Sequence, residues 1–161
     1  MKKIFIILLT AIIPLTSDCQ SDTNKEEIIA TFTITDGTSD GIDMTPTLLK
    51  AGAYTVFYTN LDDNLIYMAN VWPNSKSQSY GPMYGAESKK GTYENYEAEF
   101  FNFNWKYTNT YDDETGTAKV EVIKIYKPQG VAFNLKIITP DLTIIIYKGY
   151  MDGTIDFSIY D

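Results

Sequence analysis

The sequence predicts an all-β fold, a single antiparallel domain of about eight to nine strands, and three observations indicate it. Apolar and polar residues alternate through much of residues 117–160, which is the period of two expected of a strand with one buried face. The alternating stretches are separated by turn sequences with Pro, Gly or Asp-Gly. Connections this short join antiparallel neighbours, because a parallel crossover needs roughly a dozen residues or more.

The C-terminal part of the chain contains four of these predicted strands. The strands are expected at residues 118–127, 131–137, 142–147 and 155–160, and the turns between them at 127–130, 139–141 and 151–153. The second and fourth strands alternate regularly. The third is almost entirely β-branched or apolar, which is typical of a strand covered on both faces.

Two neighbouring strands, at residues 93–107 and 118–127, change phase part-way along. The parity of the apolar residues changes at Phe101 in the first strand and at Ile123 in the second. A β-bulge at each change would restore one apolar face and bend the strand. We therefore expect two bent strands in a curled sheet. The alternative is that both strands are straight and buried on both sides.

The N-terminal half of the domain adds further predicted strands. Residues 28–35 alternate in the manner of a first strand, and residues 53–60 and 65–72 are expected to pair as a hairpin. Residues 45–50 fit either a short edge strand or a helical turn. Residues 74–92 are the longest irregular stretch, which predicts either a lid over a barrel mouth or a short irregular strand.

The number of predicted strands and their short connections favour a barrel over a sandwich. Eight or nine strands with mostly local connections favour an up-and-down barrel of lipocalin-like architecture, which can hold one small ligand. A two-sheet sandwich is the alternative. The Gly-x-Trp motif expected of the lipocalin family near the first strand is absent, so the expected similarity is one of architecture alone.

Composition excludes several classes of function. The 161 residues include no His, and all 13 basic residues are Lys. The chain therefore lacks the commonest general base, the commonest transition-metal ligand and the bidentate guanidinium that recognises phosphate. A formal charge of −8 disfavours nucleic acid as a partner. No catalytic motif is present, so we expect neither enzymatic activity nor a cofactor.

The N-terminus carries the features of an export signal. Lys2 and Lys3 precede the apolar residues 4–15, a run too short to span a bilayer. Cys19, the single cysteine, follows, and residues 20–27 are polar. This segment resembles a bacterial lipoprotein signal peptide with an atypical lipobox, since Thr-Ser-Asp precedes the cysteine.

The resemblance implies a layout for the whole chain. Residues 1–18 would be a signal peptide, residues 19–27 a lipidated Cys19 and its tether, and residues 28–161 the β domain. Acylation of Cys19 would anchor the protein to a membrane. The implied location is the outer membrane or the cell surface. The alternative is an ordinary secretory signal, which would leave the protein periplasmic or secreted.

Aromatic residues supply the candidates for a ligand site. The 13 Tyr and eight Phe are many for this length, and several flank the irregular stretch. The candidate lining residues are Trp72, Tyr80, Tyr84, Phe103 and Trp105. Aromatic side chains also fill cores, so the same residues fit a purely structural role.

Acidic residues supply two weaker candidates. Asp36, Asp40 and Asp43 have spacings that resemble the start of a calcium loop, although Thr47 replaces the glutamate expected at its twelfth position. A plain Asp/Gly turn between strands is the favoured explanation. Glu97 and Glu99 would lie on one strand face roughly 7 Å apart, a separation found in glycoside hydrolases.

These candidates lead to three functional hypotheses. The first is a non-catalytic, lipid-anchored envelope protein that binds a small apolar, aromatic-stacking or glycan ligand. The second is a structural or partner-binding envelope module without a ligand cavity. The third, and the least favoured, is a carboxylate-dependent glycoside hydrolase.

Overall fold

A computed structural model describes residues 26–155 of the chain. The signal peptide, Cys19, most of the tether and all but the first residue of the strand expected at 155–160 lie outside the described residues. The elements are β1 (Glu26–Ser39), β2 (Ile42–Asp43), α1 (Thr45–Ala51), β3 (Tyr54–Asn60), β4 (Leu65–Trp72), a 3-10 turn (Pro73–Ser75), β5 (Ser77–Tyr93), β6 (Tyr96–Asn109), β7 (Thr115–Lys127), β8 (Gly130–Ile138) and β9 (Ile144–Gly153).

The strands form a closed eight-stranded antiparallel barrel with one extra strand. From β3 to β9 each strand pairs with the next, and β1 pairs with both β3 and β9. The pairing of β1 with β9 runs from Ala30 opposite Gly153 to Ser39 opposite Ile145 and closes the sheet on itself. The two-residue β2 pairs only with the end of β1. The predicted all-β, up-and-down barrel is therefore confirmed, and the sandwich alternative is wrong.

Large side chains fill the barrel interior. Phe32, Phe57 and Met68 are fully buried there, and every strand of the barrel contributes to the same cluster. The indole Nε1 of Trp105 donates a hydrogen bond to the carbonyl oxygen of Met68 at 3.1 Å. The rings of Trp105 and Tyr107 lie 5.1 Å apart between centroids. The barrel is therefore a packed core rather than an empty container.

The two ends of the barrel differ. At one end, α1 begins with a proline in its first turn and ends at Gly52, whose φ of 66° permits a left-handed C-cap. The helix places Leu48 in the core, where it closes this end. Of the two alternatives for residues 45–50, the helical one is correct. The opposite end, with the turns after β5 and β7, is called here the hairpin end, and no helix covers it in the described part of the chain.

The stretch expected to be irregular is the longest strand in the described structure. β5 spans 17 residues, and its turn-type residues have specific roles within a strand. A Cβ on Gly81 would overlap the carbonyl oxygen of Lys106, so only glycine permits this close approach. Pro82 is the last residue of β5 to pair with β4. Gly85, with a φ of 62°, lies in a β-bulge. The prediction of a lid is wrong.

The predicted bulges in the next two strands are also wrong. β6 pairs with β7 without a register shift, from Glu97 opposite Tyr126 to Thr108 opposite Thr115. The phase changes because both faces are buried near the hairpin end. Phe101 and Val122 pack inside, while Ile123 and other apolar residues form a second cluster outside. The bulge that curves this part of the sheet lies in β5 instead.

The last described strand differs from the prediction as well. β9 runs without interruption to Gly153, so the Asp-Gly pair expected to form a turn lies in the sheet, with Asp152 opposite Thr31. The expected cover on both faces of residues 142–147 is incomplete. Leu142 is 77% exposed in the preceding turn and Ile144 is 39% exposed.

Candidate functional site

The five aromatic candidates do not share one site. Phe103 and Trp105 are 3% exposed and belong to the filled interior. Trp72 is partly buried and packs against the same interior cluster. Tyr80 packs on the outside of the barrel with Val56 and its neighbours. Tyr84 is 44% exposed. Tyr80 and Tyr84 project outwards because residues of opposite parity in a strand point to opposite faces, so no single ligand contacts all five.

A cavity of about 340 Å³ opens at the hairpin end and is called here the mouth cavity. Its apolar lining consists of Phe101, Val122, Phe133, Met151 and Ile155, and its polar lining includes Ser88, Glu99, Lys124 and Thr154. The apolar residues form the floor, since most of them pack on the core. Apolar walls with few polar groups are typical of small-molecule sites.

Unequal strand pairing creates this cavity. The pairing of β4 with β5 stops at Tyr67 opposite Pro82, whereas β5 and β6 remain paired to Tyr93 opposite Tyr96. On the other side, the pairing of β8 with β9 stops at Phe133 opposite Gly149. Strands β5 to β8 therefore separate from β4 and β9 at this end, and the cavity lies between their inner faces and residues 151–155.

A row of charged side chains crosses the inner face at the mouth. Glu99 stands directly opposite Lys90 on β5 and Lys124 on β7. Lys90 Nζ lies 3.9 Å from a carboxylate oxygen of Glu99, and Lys124 Nζ lies 5.2 Å from the ring centroid of Tyr126. Two ammonium groups against one carboxylate make this row net positive, in a chain whose formal charge is −8.

The two glutamates of the hydrolase hypothesis share a strand face but not a cavity. Glu99 lines the mouth cavity, whereas Glu97 is exposed and stands opposite Tyr126 nearer the hairpin tip. Glycoside hydrolysis of the usual kind requires two carboxyl groups flanking the substrate. The lining of the mouth cavity contains a single carboxyl group, that of Glu99.

The acidic residues considered for calcium are engaged in local structure. Asp36 lies in β1 and forms an ion pair with Lys148 at 4.0 Å, and Asp40 accepts a hydrogen bond from the backbone N–H of Ile144 at 2.8 Å. Asp43 accepts one from the N–H of Thr45 at 2.9 Å, and hydrogen bonds from Thr45 lower the pKa of its carboxyl. Among residues 26–155, no group of three or more acidic side chains is arranged to hold a metal ion.

A cluster of tyrosines on the outside of β3 and β4 carries no charge at neutral pH. The rings of Tyr58 and Tyr67 stack with centroids 5.3 Å apart, and burial raises the pKa of Tyr58. Tyr67 donates a hydrogen bond to Asp63 at 2.7 Å, which raises the pKa of the phenol to about 12. Both phenols therefore remain protonated and neutral, and neither is available as a base.

Sequence reasoning missed most of the mouth cavity. Val122, Phe133 and Met151 come from three strands, and only the register of the sheet brings them together. One signal was available. Glu99 shares parity with Phe101 and Phe103, so an acidic residue on the core-facing side marked the point where the core ends.

Comparisons with known proteins supply no family. No protein-family model matches the chain, and no significant match is found among curated proteins or solved structures. Within residues 26–155, no helix has the length and apolar character needed to cross a bilayer.

Proposed function

We propose that this chain is an exported, lipid-anchored, non-catalytic envelope protein that binds a small amphipathic ligand in its mouth cavity. The ligand would consist of an apolar body and an acidic head group. The observation that carries the proposal is the mouth cavity itself, which combines an apolar floor with a net-positive row of charges at its rim.

Packing supports the mouth as the place for a ligand. Side chains fill the closed part of the barrel, so an apolar body would rest on Phe101, Val122 and Phe133 rather than enter the interior. A volume of about 340 Å³ is near the lower end of known small-molecule pockets. The ligand is therefore small, of the size of a medium-chain fatty acid rather than a long-chain lipid.

Charge supports an acidic head group. Lys124 lines the cavity, while Glu99 is already paired with Lys90. A carboxylate placed at Lys124 gains a charge-assisted hydrogen bond, which a neutral alcohol at the same place does not. Because the rim is partly open to solvent, we expect a modest preference, about three- to ten-fold in dissociation constant.

Calorimetric titration of a soluble form that begins at residue 20, and so omits the acylated Cys19, with decanoic acid and with 1-decanol tests the proposal. Both ligands should bind at one site, and decanoate should bind more tightly. Ser88→Trp adds bulk across the rim at an exposed position, so it should abolish binding of both. Lys89→Trp, the next residue on the opposite face of β5, is the matched control and should bind as the unmodified chain does.

The charge preference has its own pair of variants. Lys124→Gln should weaken decanoate binding and leave decanol unchanged. Lys127→Gln removes a charge near the same end but outside the cavity, where the ammonium group lies 5.7 Å from the Tyr96 ring centroid, and should change neither. Equal loss of decanoate binding in both variants would mean that general charge, and not the rim, attracts the ligand.

A second candidate function, a structural or partner-binding module, is favoured by the filled interior. The titration with decanoate and decanol distinguishes this module from a ligand-binding protein. If neither decanoate nor decanol binds to a folded chain, the ligand proposal fails and the module becomes the better explanation.

The anchor is tested separately by the intact mass of the protein in membrane fractions. Sequence features at Lys2, Lys3 and Cys19 support this part of the proposal. The mature protein should begin at Cys19 and carry the added mass of acyl chains. Cys19→Ala should abolish the acyl mass and the membrane association. A soluble product that begins beyond residue 19 would contradict lipidation.

A further inference from the structure

A second cavity lies on the outside of the barrel, on the face of β6 and β7 opposite the core. It has a volume of about 300 Å³ and is called here the outer groove. Phe103 and Val120 also line it, and because their side chains enter the core on the other face, the groove meets the sheet backbone there. The β-bulge at Gly85 forms one wall, because β5 shifts register there between Tyr84 and Glu87.

The sheet register arranges the side chains in and beside the outer groove in two rows across four strands. The first row contains Tyr84, Asn104, Lys119 and Ile138, each directly opposite the next. The second contains Glu87, Asn102, Glu121 and Lys136 in the same manner. Neighbouring strands are about 4.8 Å apart, and rows two residues apart along a strand are separated by roughly 7 Å.

Within residues 26–155, the two asparagine amides of these rows form no hydrogen bond with the rest of the protein. Asn102 and Asn104 are half-buried, yet in the described part of the chain neither amide hydrogen-bonds to another protein group. Glu121 and Lys136 are adjacent across the sheet without forming an ion pair. Each amide offers donors and an acceptor, the carboxylates accept and the ammonium groups donate.

The chemistry of the rows selects one class of ligand. Two carboxylates and two ammonium groups cancel in formal charge, so the groove favours a neutral molecule over an ion. Donors and acceptors alternate at short spacing, which suits hydroxyl groups because each hydroxyl both donates and accepts. Ile138 lines the groove at one end of the first row, and Tyr84, 44% exposed and directly opposite Asn104, lies beside the groove at the other end, so both provide apolar surface. A ligand with many hydroxyls and an apolar ring face is a sugar.

We propose that the outer groove is a binding site for a neutral saccharide, distinct from the mouth cavity. The sugar ring lies against Tyr84, and its hydroxyls pair with the amides of Asn102 and Asn104 and with the carboxylate of Glu121. The volume accommodates a mono- or disaccharide unit, which includes the terminal unit of a longer glycan. The two sites are independent, since Asn102 and Asn104 point away from the core that Phe101 and Phe103 enter.

Saturation-transfer NMR of the purified full-length chain with glucose, galactose, mannose, N-acetylglucosamine, maltose and cellobiose tests the proposal. At least one of these neutral sugars should receive saturation from the protein at millimolar concentrations. Glucuronic acid should bind less well than glucose. No transfer to any of the six sugars, or stronger binding of glucuronic acid than of glucose, would overturn the proposal.

Variants locate the site. The double variant Asn102→Ala/Asn104→Ala should lose at least about ten-fold in affinity, because the sugar hydroxyls lose both amide partners. Tyr84→Ala, at an exposed position that does not threaten folding, should also weaken binding. Gln129→Ala and Tyr111→Ala remove an exposed amide and an exposed ring elsewhere and should have no effect. Undiminished sugar binding in the double variant or in Tyr84→Ala would refute this placement.

Independence from the mouth cavity is tested with the same proteins. Ser88→Trp should retain sugar binding, and the double asparagine variant should retain decanoate binding if the mouth binds decanoate at all. Loss of sugar binding in Ser88→Trp would show that the outer groove is not a separate site. Failure of decanoate to bind leaves the sugar result unaffected, so the two proposals fail separately.

Discussion

Thr55 and Asn70 show how one pair of side chains satisfies its own polarity inside an apolar barrel. They are direct cross-strand neighbours on β3 and β4, and both are buried. The Thr55 hydroxyl donates to Oδ1 of Asn70 at 2.6 Å. Each group provides the partner that the other needs out of water, so neither is an uncompensated polar group in the core.

Asn70→Ala should lower the free energy of unfolding by about 1–3 kcal/mol, because the Thr55 hydroxyl loses its partner in a buried place. The double variant Thr55→Val/Asn70→Ala should lose less than the sum of the two single variants, since it leaves no orphaned hydroxyl. Urea denaturation of the three variants measures this coupling. Strict additivity would show that the hydrogen bond contributes nothing.

Tyr147 provides a pH-dependent contribution to stability. Burial raises the pKa of its phenol to about 12, against about 10 in an unfolded chain. The unfolded state therefore loses the proton first, so the free energy of unfolding falls as the pH rises from about 10 to about 12. Tyr147→Phe should make this decline shallower and leave the dependence below about pH 9 unchanged. Tyr111→Phe, at an 82% exposed position, is the control and should have the same pH dependence of stability as the unmodified protein. Urea unfolding of the unmodified protein and of the two variants across this pH range measures the difference.

At the scale of elements, β5 shows how glycine and proline can belong to a strand. Gly81 permits close approach to β6, Pro82 ends the pairing with β4, and Gly85 provides the positive φ of the bulge. Together they release the second half of β5 from β4 at the hairpin end. The mouth cavity and the outer groove both depend on this departure, since one lies at the inner face of the released part and the other beside the bulge.

Gly81→Ala should destabilise the protein severely, by at least about 3 kcal/mol, because the added methyl group overlaps the Lys106 backbone and not a movable side chain. Ser79→Ala, two residues earlier on the same strand, should cost less than about 1 kcal/mol. Thermal unfolding followed by circular dichroism compares them. Similar melting temperatures for the two variants would show that β5 and β6 can separate at this point without cost.

At the scale of the whole molecule, the pairing of β1 with β9 turns a meander into a barrel. It joins residues more than a hundred positions apart, such as Asp36 and Lys148. Closure satisfies the backbone groups of both strands that an open sheet would leave at its edges. It also surrounds the core with strands on all sides, so that α1 is needed only to cover one end.

A disulfide between these strands tests closure directly. Asp36 and Lys148 are cross-strand partners with exposed, contacting side chains. In a Cys19→Ser background, Asp36→Cys/Lys148→Cys should oxidise readily and raise the free energy of unfolding by about 2–4 kcal/mol, because the bond restricts a long loop in the unfolded chain. The reduced protein is the matched control. Failure of the bond to form under oxidising conditions would mean that β1 and β9 are not neighbours.

Part of the fold could be read from the sequence, because local pattern determined it. Alternation of apolar and polar residues predicted β1, β3, β4 and β8, and short turns predicted antiparallel neighbours. The predictions failed where one local pattern has two physical causes. Glycine and proline in β5 indicated a loop but serve a close approach and a bulge. Parity changes in β6 and β7 indicated bulges but reflect burial on both faces.

The sequence by itself therefore determined the fold class, and its lack of His and Arg excluded several kinds of chemistry. Only the tertiary structure decided where ligand sites can form. Lys90, Glu99 and Lys124 become neighbours through the register of three strands, and the rows of the outer groove through the register of four. Register and closure depend on pairing between distant residues, and a local period of two carries no record of which strand lies opposite.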